Sequence, residues 1–328
     1  MGTKPTQSRN NDNMFKQKVT LMVMAVLVLV LFVCILWLII ASIQNSDNNN
    51  EDGTEAPSGE VTDNINYTSM TLSAADLQKG NLVLVNSQHQ FVFPTENNRV
   101  SIYNYRSEHN GSGSYKLGST ELYLEPEAVE AMHNMLVEFA KETGNSSLNV
   151  TSAYRSYEDQ ESTNSSIKAG YSDSHTGLSF SLAMYENNIT TQLTDPENAE
   201  YYDWLKEHAH EYGFIIRYPE GKESVTGVSN YAYAFRYVGV PHATYMYTNN
   251  LCLEEYIDYL KTNSSFDSKL SVTDDGGHTY LVYYTPSAGD ITEIKVPVAE
   301  TELDGSARYP YTVSGTNEGG AVVTVQLN

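Results

Sequence analysis

The chain has 328 residues and a formal charge of −22, enough length for one or two compact domains with tails. A body this acidic repels phosphate backbones and argues against nucleic acid as a partner, and 25 Tyr beside nine Phe and two Trp argue against a disordered chain. The two Cys, Cys34 in an apolar run and Cys252 far downstream, offer neither a disulfide framework nor a cysteine metal cluster.

Residues 1–18 carry Lys4, Arg9, Lys16 and Lys18 against Asp12. Val19 to Ile43 then runs without a charged residue. That exceeds the roughly 20 apolar residues that span a bilayer. It is also longer than the roughly 7–15-residue core of a secretory signal, and no small-residue cleavage site follows. The run predicts a transmembrane helix, and the flanking cations put the N-terminus in the cytoplasm and the body outside. Residues 44–73, rich in Asn, Asp, Glu, Gly, Ser and Thr, predict a flexible stalk.

The globular part is expected over residues 74–263. The apolar run Leu82-Val83-Leu84-Val85 predicts a short buried strand. Pro126 to Lys141 predicts a helix, with Val129, Met132, Leu136 and Phe139 at helical period, Pro126 at its start and Gly144 past its end. His133 flanks that stripe as an ordinary helix residue. A second helix is expected from Asn198 to Tyr212, stopped by Gly213, with His208 and His210 on its surface. Phe214–Tyr218 and Tyr233–Val238 predict strands, and Leu251–Lys261 a third helix with Leu253, Ile257 and Leu260 on one face. Residues 264–328 change character. Short alternating segments such as Thr279–Tyr284 and Ala321–Gln326, between Gly, Asp and Ser turns, predict a small β domain.

Four stretches carry a family resemblance. They are Ser152-Ala153-Tyr154-Arg155-Ser156-Tyr157-Glu158-Asp159-Gln160; Gly170-Tyr171-Ser172-Asp173-Ser174-His175-Thr176-Gly177-Leu178; Trp204-Leu205 through Tyr212-Gly213-Phe214 to Glu223; and Thr226-Gly227 through Phe235-Arg236-Tyr237-Val238-Gly239 to Ala243. In this order and spacing, residues 80–262 resemble the VanY-type D-alanyl-D-alanine carboxypeptidases. The resemblance implies an α+β fold, the VanY-like or Hedgehog-type peptidase core: an antiparallel sheet with packed helices. It also implies zinc hydrolysis, in which two His and one Asp hold the metal, a water fills the open position and a Glu is the general base.

Aligned on Ser172 and Gly177, the first zinc His falls on Ser174 and the Asp on Ser181. Aligned on Phe235 to Gly239, the catalytic Glu falls on Tyr231 and the second His on Ala234. Hydroxyls and a methyl group supply no imidazole or anionic donor, so the expectation is a degenerate member with no zinc. His175 and His242 are the alternative metal ligands, but on an extended chain His175 would face away from the position of Ser174. The family's peptide-site residues match Arg155, Gln160 and Ser172. An Arg fork there suits a carboxylate, unless Arg155 is a structural ion pair. Tyr231 and Tyr233 either plug the old catalytic space or offer a stacking surface. The expected role is a membrane-held, non-hydrolysing protein that binds peptidoglycan stem peptide or a cell-wall protein. The alternatives are an active D,D- or L,D-carboxypeptidase with a rebuilt metal site, and a scaffold for an active cell-wall enzyme.

Overall fold

The computed structural model describes residues 64–328 except 164, 230 and 300–307. The expected transmembrane run 19–43 and most of the expected stalk lie outside the described residues. Among the described residues no helix is long and apolar enough to cross a membrane.

The strands, in chain order, are β1 Tyr67–Ser73, β2 Val100–Ser101, β3 Lys116–Leu117, β4 Tyr123–Leu124, β5 Leu148–Ser152, β6 Ser179–Glu186, β7 Ile189–Gln192, β8 Phe214–Ile216, β9 Ala234–Tyr237, β10 Leu270–Thr273, β11 Thr279–Pro286, β12 Ile291–Pro297, β13 Tyr311–Gly315 and β14 Gly320–Gln326. The helices are α1 Ile102–Glu108, α2 Pro126–Thr143, α3 Tyr157–Ser162, α4 Ala199–His208, α5 Glu223–Thr226, α6 Val240–Thr248 and α7 Leu253–Asn263. The fold is mixed α+β. Its central sheet runs β3-β5-β6-β9-β8, with β7 added on β6. All of its pairings are antiparallel except β3 with β5.

Helix α2 covers this sheet. Its expected stripe of Val129, Met132, Leu136 and Phe139 is buried against Val150, Phe180, Leu182 and Phe235 of the strands. The helix ends where Gly144 takes the left-handed conformation, φ +68°. His133 does not lie on the surface of α2. It is buried, and its ring meets the Tyr115 hydroxyl and the His109 carbonyl, each at 3.1 Å.

A second sheet, β10-β11-β14-β13, occupies the expected β region. Alternate side chains face opposite ways. Val282, Tyr284 and Val322 pack on α6 and α7, whereas Leu281, Tyr283, Val323 and Val325 pack on the β1–β12 pair. This sheet therefore shares one core with helices α6 and α7 and another with strand β1. The expected stalk is shorter by one element, because Tyr67–Ser73 is a strand paired along its whole length with Ile291–Pro297. Its Ser and Thr residues resemble a linker in composition, but its partner strand lies more than 200 positions away.

Leu82–Val85 is buried as expected but forms no ladder. Its main chain finds other partners. Arg236 donates to the carbonyls of Asn81 and Val83, Arg217 to that of Val85, and Asn317 to that of Leu84. Buried carbonyls must be paired somewhere, and here guanidinium groups do what a neighbouring strand would do.

Candidate functional site

The four positions aligned with the metal ligands and base, and the three aligned with the peptide site, reach one cavity of ≈ 430 Å³. Ser174 lies in the 3-10 turn Asp173–Thr176, which ends at Gly177 in a left-handed conformation, φ +70°, and leads into β6. A Cβ on Gly177 would sit 2.8 Å from Nε of Arg99, so the turn needs glycine on both counts. Ser181 on β6 is directly opposite Ala234 on β9 and also pairs with Ser152 on β5. Tyr231 sits in the turn before β9, and its carbonyl accepts from the Ala234 amide at 2.9 Å. The sheet thus gathers Ser174, Ser181, Tyr231 and Ala234 with Arg155, Gln160 and Ser172 around a common space.

The donors around that space do not fit zinc. Ser174, Ser181 and Ala234 provide no imidazole, thiolate or carboxylate. His175 is fully buried, in a turn and not on the extended segment assumed from sequence, and both its ring nitrogens are used by main chain. Nδ1 donates to the Arg155 carbonyl at 2.8 Å and Nε2 accepts from the Gly170 amide at 2.9 Å. Burial holds its pKa below the ordinary range. His242 lies elsewhere, in a cavity lined by both sheets. Its nitrogens meet the Tyr256 hydroxyl at 2.8 Å and the Thr324 hydroxyl at 3.0 Å, and burial lowers its pKa to about 3. Among the described residues, the cluster that could gather three metal donors is His210, Glu211 and Asp275, outside this cavity. His210 is itself buried, stacked on Tyr247 and bonded to Asp275, so it is not the surface residue expected from sequence.

Arg155 makes no ion pair among the described residues. Its one side-chain bond is to the Gln160 oxygen at 3.3 Å. Gln160 is 2% exposed, and its amide nitrogen donates to the Ile167 carbonyl at 2.8 Å. Gln160 therefore positions Arg155 and has little left to offer a ligand. Tyr231 and Tyr233 stand 5.3 Å apart as a half-buried wall and leave the cavity open.

Sequence reasoning missed the charge network beneath the cavity floor. Asp173, 3% exposed, binds Arg217 Nε at 3.1 Å, Nη1 of Arg236, and the Ser179 hydroxyl. Glu254 takes Arg217 in a two-pronged contact at 2.8 and 3.0 Å. Burial alone would raise the Asp173 carboxyl, but Arg236 and Arg217 outweigh it and hold it below its usual value. Glu254 is likewise held down by Arg217 against burial. Two guanidinium groups and two carboxylates close a neutral set. Two of its members, Asp173 and Arg217, line the cavity.

The molecule is a mixed α+β fold in which helices pack on a sheet with a hydroxyl-lined cleft at its centre. The family described as VanY, D-alanyl-D-alanine carboxypeptidase, matches residues 121–240. A D-alanyl-D-alanine carboxypeptidase of Enterococcus faecium is 31% identical over 266 residues, covering 79% of this chain and 80% of that protein. A bifunctional D-Ala-D-Ala dipeptidase and carboxypeptidase, VanXYC of Enterococcus gallinarum, is 47% identical over 58 residues, 18% of this chain and 30% of that one. The vancomycin-resistance D,D-dipeptidase VanXYg, crystallised with a D-Ala-D-Ala phosphinate analogue, superposes with a TM-score of 0.65 at 25% identity, covering 80% of this chain and 99% of that chain. The chain belongs to the VanY-type D-alanyl-D-alanine carboxypeptidase family.

Proposed function

We propose that this protein is a membrane-held member of the family that captures the carboxyl end of a peptidoglycan stem peptide and does not hydrolyse it. One observation carries the reading: a guanidinium without a carboxylate partner, Arg155, faces the same cavity as Ser174, Ser181 and Ala234, which offer no metal donor. Without a bound cation no water is acidified at neutral pH, and Tyr231 puts a phenol where the family has its carboxylate base. What remains suits binding. A planar donor fork matches a carboxylate, and Ser172, the neighbouring hydroxyls and two Tyr rings can hold a short peptide. The relatives named for D-Ala-D-Ala chemistry favour a peptide ending in that pair. A rebuilt metal site is disfavoured because both His175 nitrogens are already spent on main chain. The apolar run 19–43 would hold the body at the outer face of the cytoplasmic membrane, with the N-terminus inside.

Calorimetric titration of the full-length chain in mild detergent with a D-Ala-D-Ala pentapeptide tests this. The expected constant lies between micromolar and millimolar, about 4–8 kcal/mol. Arg155→Ala is expected to cost about 1.5–3 kcal/mol of binding, the scale of a charged hydrogen bond, without lowering the melting temperature. A folded wild type that binds nothing at millimolar peptide, or a variant that binds as before, would remove the peptide reading and leave a cell-wall protein as the partner.

A further inference from the structure

The charge distribution around the cleft says more about its ligand. On a chain of net −22, most described cations are neutralised locally. Lys79, Lys141, Lys206, Lys222, Lys261 and Lys295 each lie against a carboxylate. Arg106 and Lys116 turn to the main-chain carbonyls of Tyr115 and Tyr185. Among the described residues, Arg155 and Lys168 have neither kind of neutralising partner for their cationic groups: Arg155 has the Gln160 amide, and the Lys168 ammonium lies 5.3 Å over the Tyr171 ring.

These two cations line adjoining cavities. The Lys168 cavity, ≈ 580 Å³, is walled by Tyr171, Tyr218, Thr226 and Tyr231, and no carboxylate lines it. Ile167, Tyr218 and Tyr231 line both spaces. The one carboxylate lining the Arg155 cavity, Asp173, is neutralised by Arg217 and Arg236. One side chain ties the two cations together, because the Gln160 amide holds Arg155 at one end and the carbonyl of Ile167, the residue before Lys168, at the other. Low-dielectric walls of Tyr strengthen an unopposed positive field. The cleft therefore carries two cations that no lining carboxylate among the described residues opposes.

We propose that Lys168 forms a second anion subsite, and that the ligand is an extended peptide with two carboxylates, its terminal one at Arg155 and an inner one at Lys168. This rests on the peptide reading of the cleft and narrows it to peptides whose inner acidic residue keeps a free carboxylate. Masking that group as an amide removes the charge and keeps the shape.

The test uses full-length protein and two synthetic pentapeptides, L-Ala-γ-D-Glu-L-Lys-D-Ala-D-Ala and its counterpart with the glutamyl α-carboxylate converted to the amide. Wild type is expected to bind the free acid about two- to fivefold more tightly, the scale of one exposed ion pair, with the preference shrinking as salt rises. Lys168→Gln should abolish the preference and leave the affinity for the amide unchanged. Arg155→Ala should weaken both peptides. Lys168 is exposed, so its replacement leaves the fold intact. Equal affinity of wild type for the two peptides, still dependent on Arg155, would overturn the second subsite and leave the peptide reading standing. Binding of neither peptide would overturn both.

Discussion

Asp173→Asn is expected to destabilise the protein by about 3–5 kcal/mol, the cost of leaving a buried charge without its partner. The substitution preserves volume but leaves Arg236 without a carboxylate and Arg217 with Glu254 alone, both guanidinium groups being fully buried. The main-chain carbonyls they hold at Asn81, Val83 and Val85 would lose their geometry with them. A domain of this size gains or loses roughly 2–4 °C per kcal/mol, so calorimetric melting should fall by roughly 10 °C. Melting within roughly 2 °C of wild type would show that the network does not hold the cleft floor. Acid should act in the same direction. His242 and His175 are kept neutral by burial, His242 with its pKa near 3. Unfolding lets them take up protons, so their contribution is complete above about pH 6.5 and is lost as the pH falls toward the folded value. Asp173 and Glu254, held below their usual range, contribute fully above the ordinary carboxylate range and lose that contribution as the pH falls below it toward their folded values.

The second large effect is a gain. Ser174→His, Ser181→Asp, Tyr231→Glu and Ala234→His, introduced together, are expected to confer zinc binding at about one ion per chain, since a full donor set is worth on the order of 10 kcal/mol. The backbone is already arranged for it. Ser181 and Ala234 face each other across β6 and β9, Ser174 leads into β6, and the cavity leaves room for two imidazole rings. Elemental analysis after dialysis reads the outcome, with melting temperature as the control for folding. A folded variant without zinc would mean that these four positions are not the family's metal site.

Some of this could be seen in the sequence. The α2 stripe was legible because local period and capping residues agree. The seven positions aligned from motif spacing fall around one cavity, because that spacing places them on neighbouring strands and turns. Helix α6 was not expected at all. It has nine residues, carries Pro241 in its first turn and is rich in Tyr and β-branched residues, so its helical signal is weak. The extended strap at Leu82–Val85 read as a strand because the apolar run reports burial and says nothing of what pairs the main chain. Asp173, Arg217, Arg236 and Glu254 are scattered over more than 80 positions, and only the folded chain reveals that each needs the others. His175 pointed away from the cavity as expected, but for a different reason: a 3-10 turn and two main-chain bonds fix it, not strand alternation.

The proposed function requires that the cleft bind peptide through Arg155 and hold no zinc. The zinc content of the purified wild-type chain, after mild dialysis without chelator, tests it most directly. The expected result is well below about a tenth of an equivalent, because among the described residues no three donors of the required kind face the cavity. About one tightly held zinc per chain, lost on His175→Ala, together with chelator-sensitive release of D-Ala from the pentapeptide, would contradict it and make this protein a working carboxypeptidase.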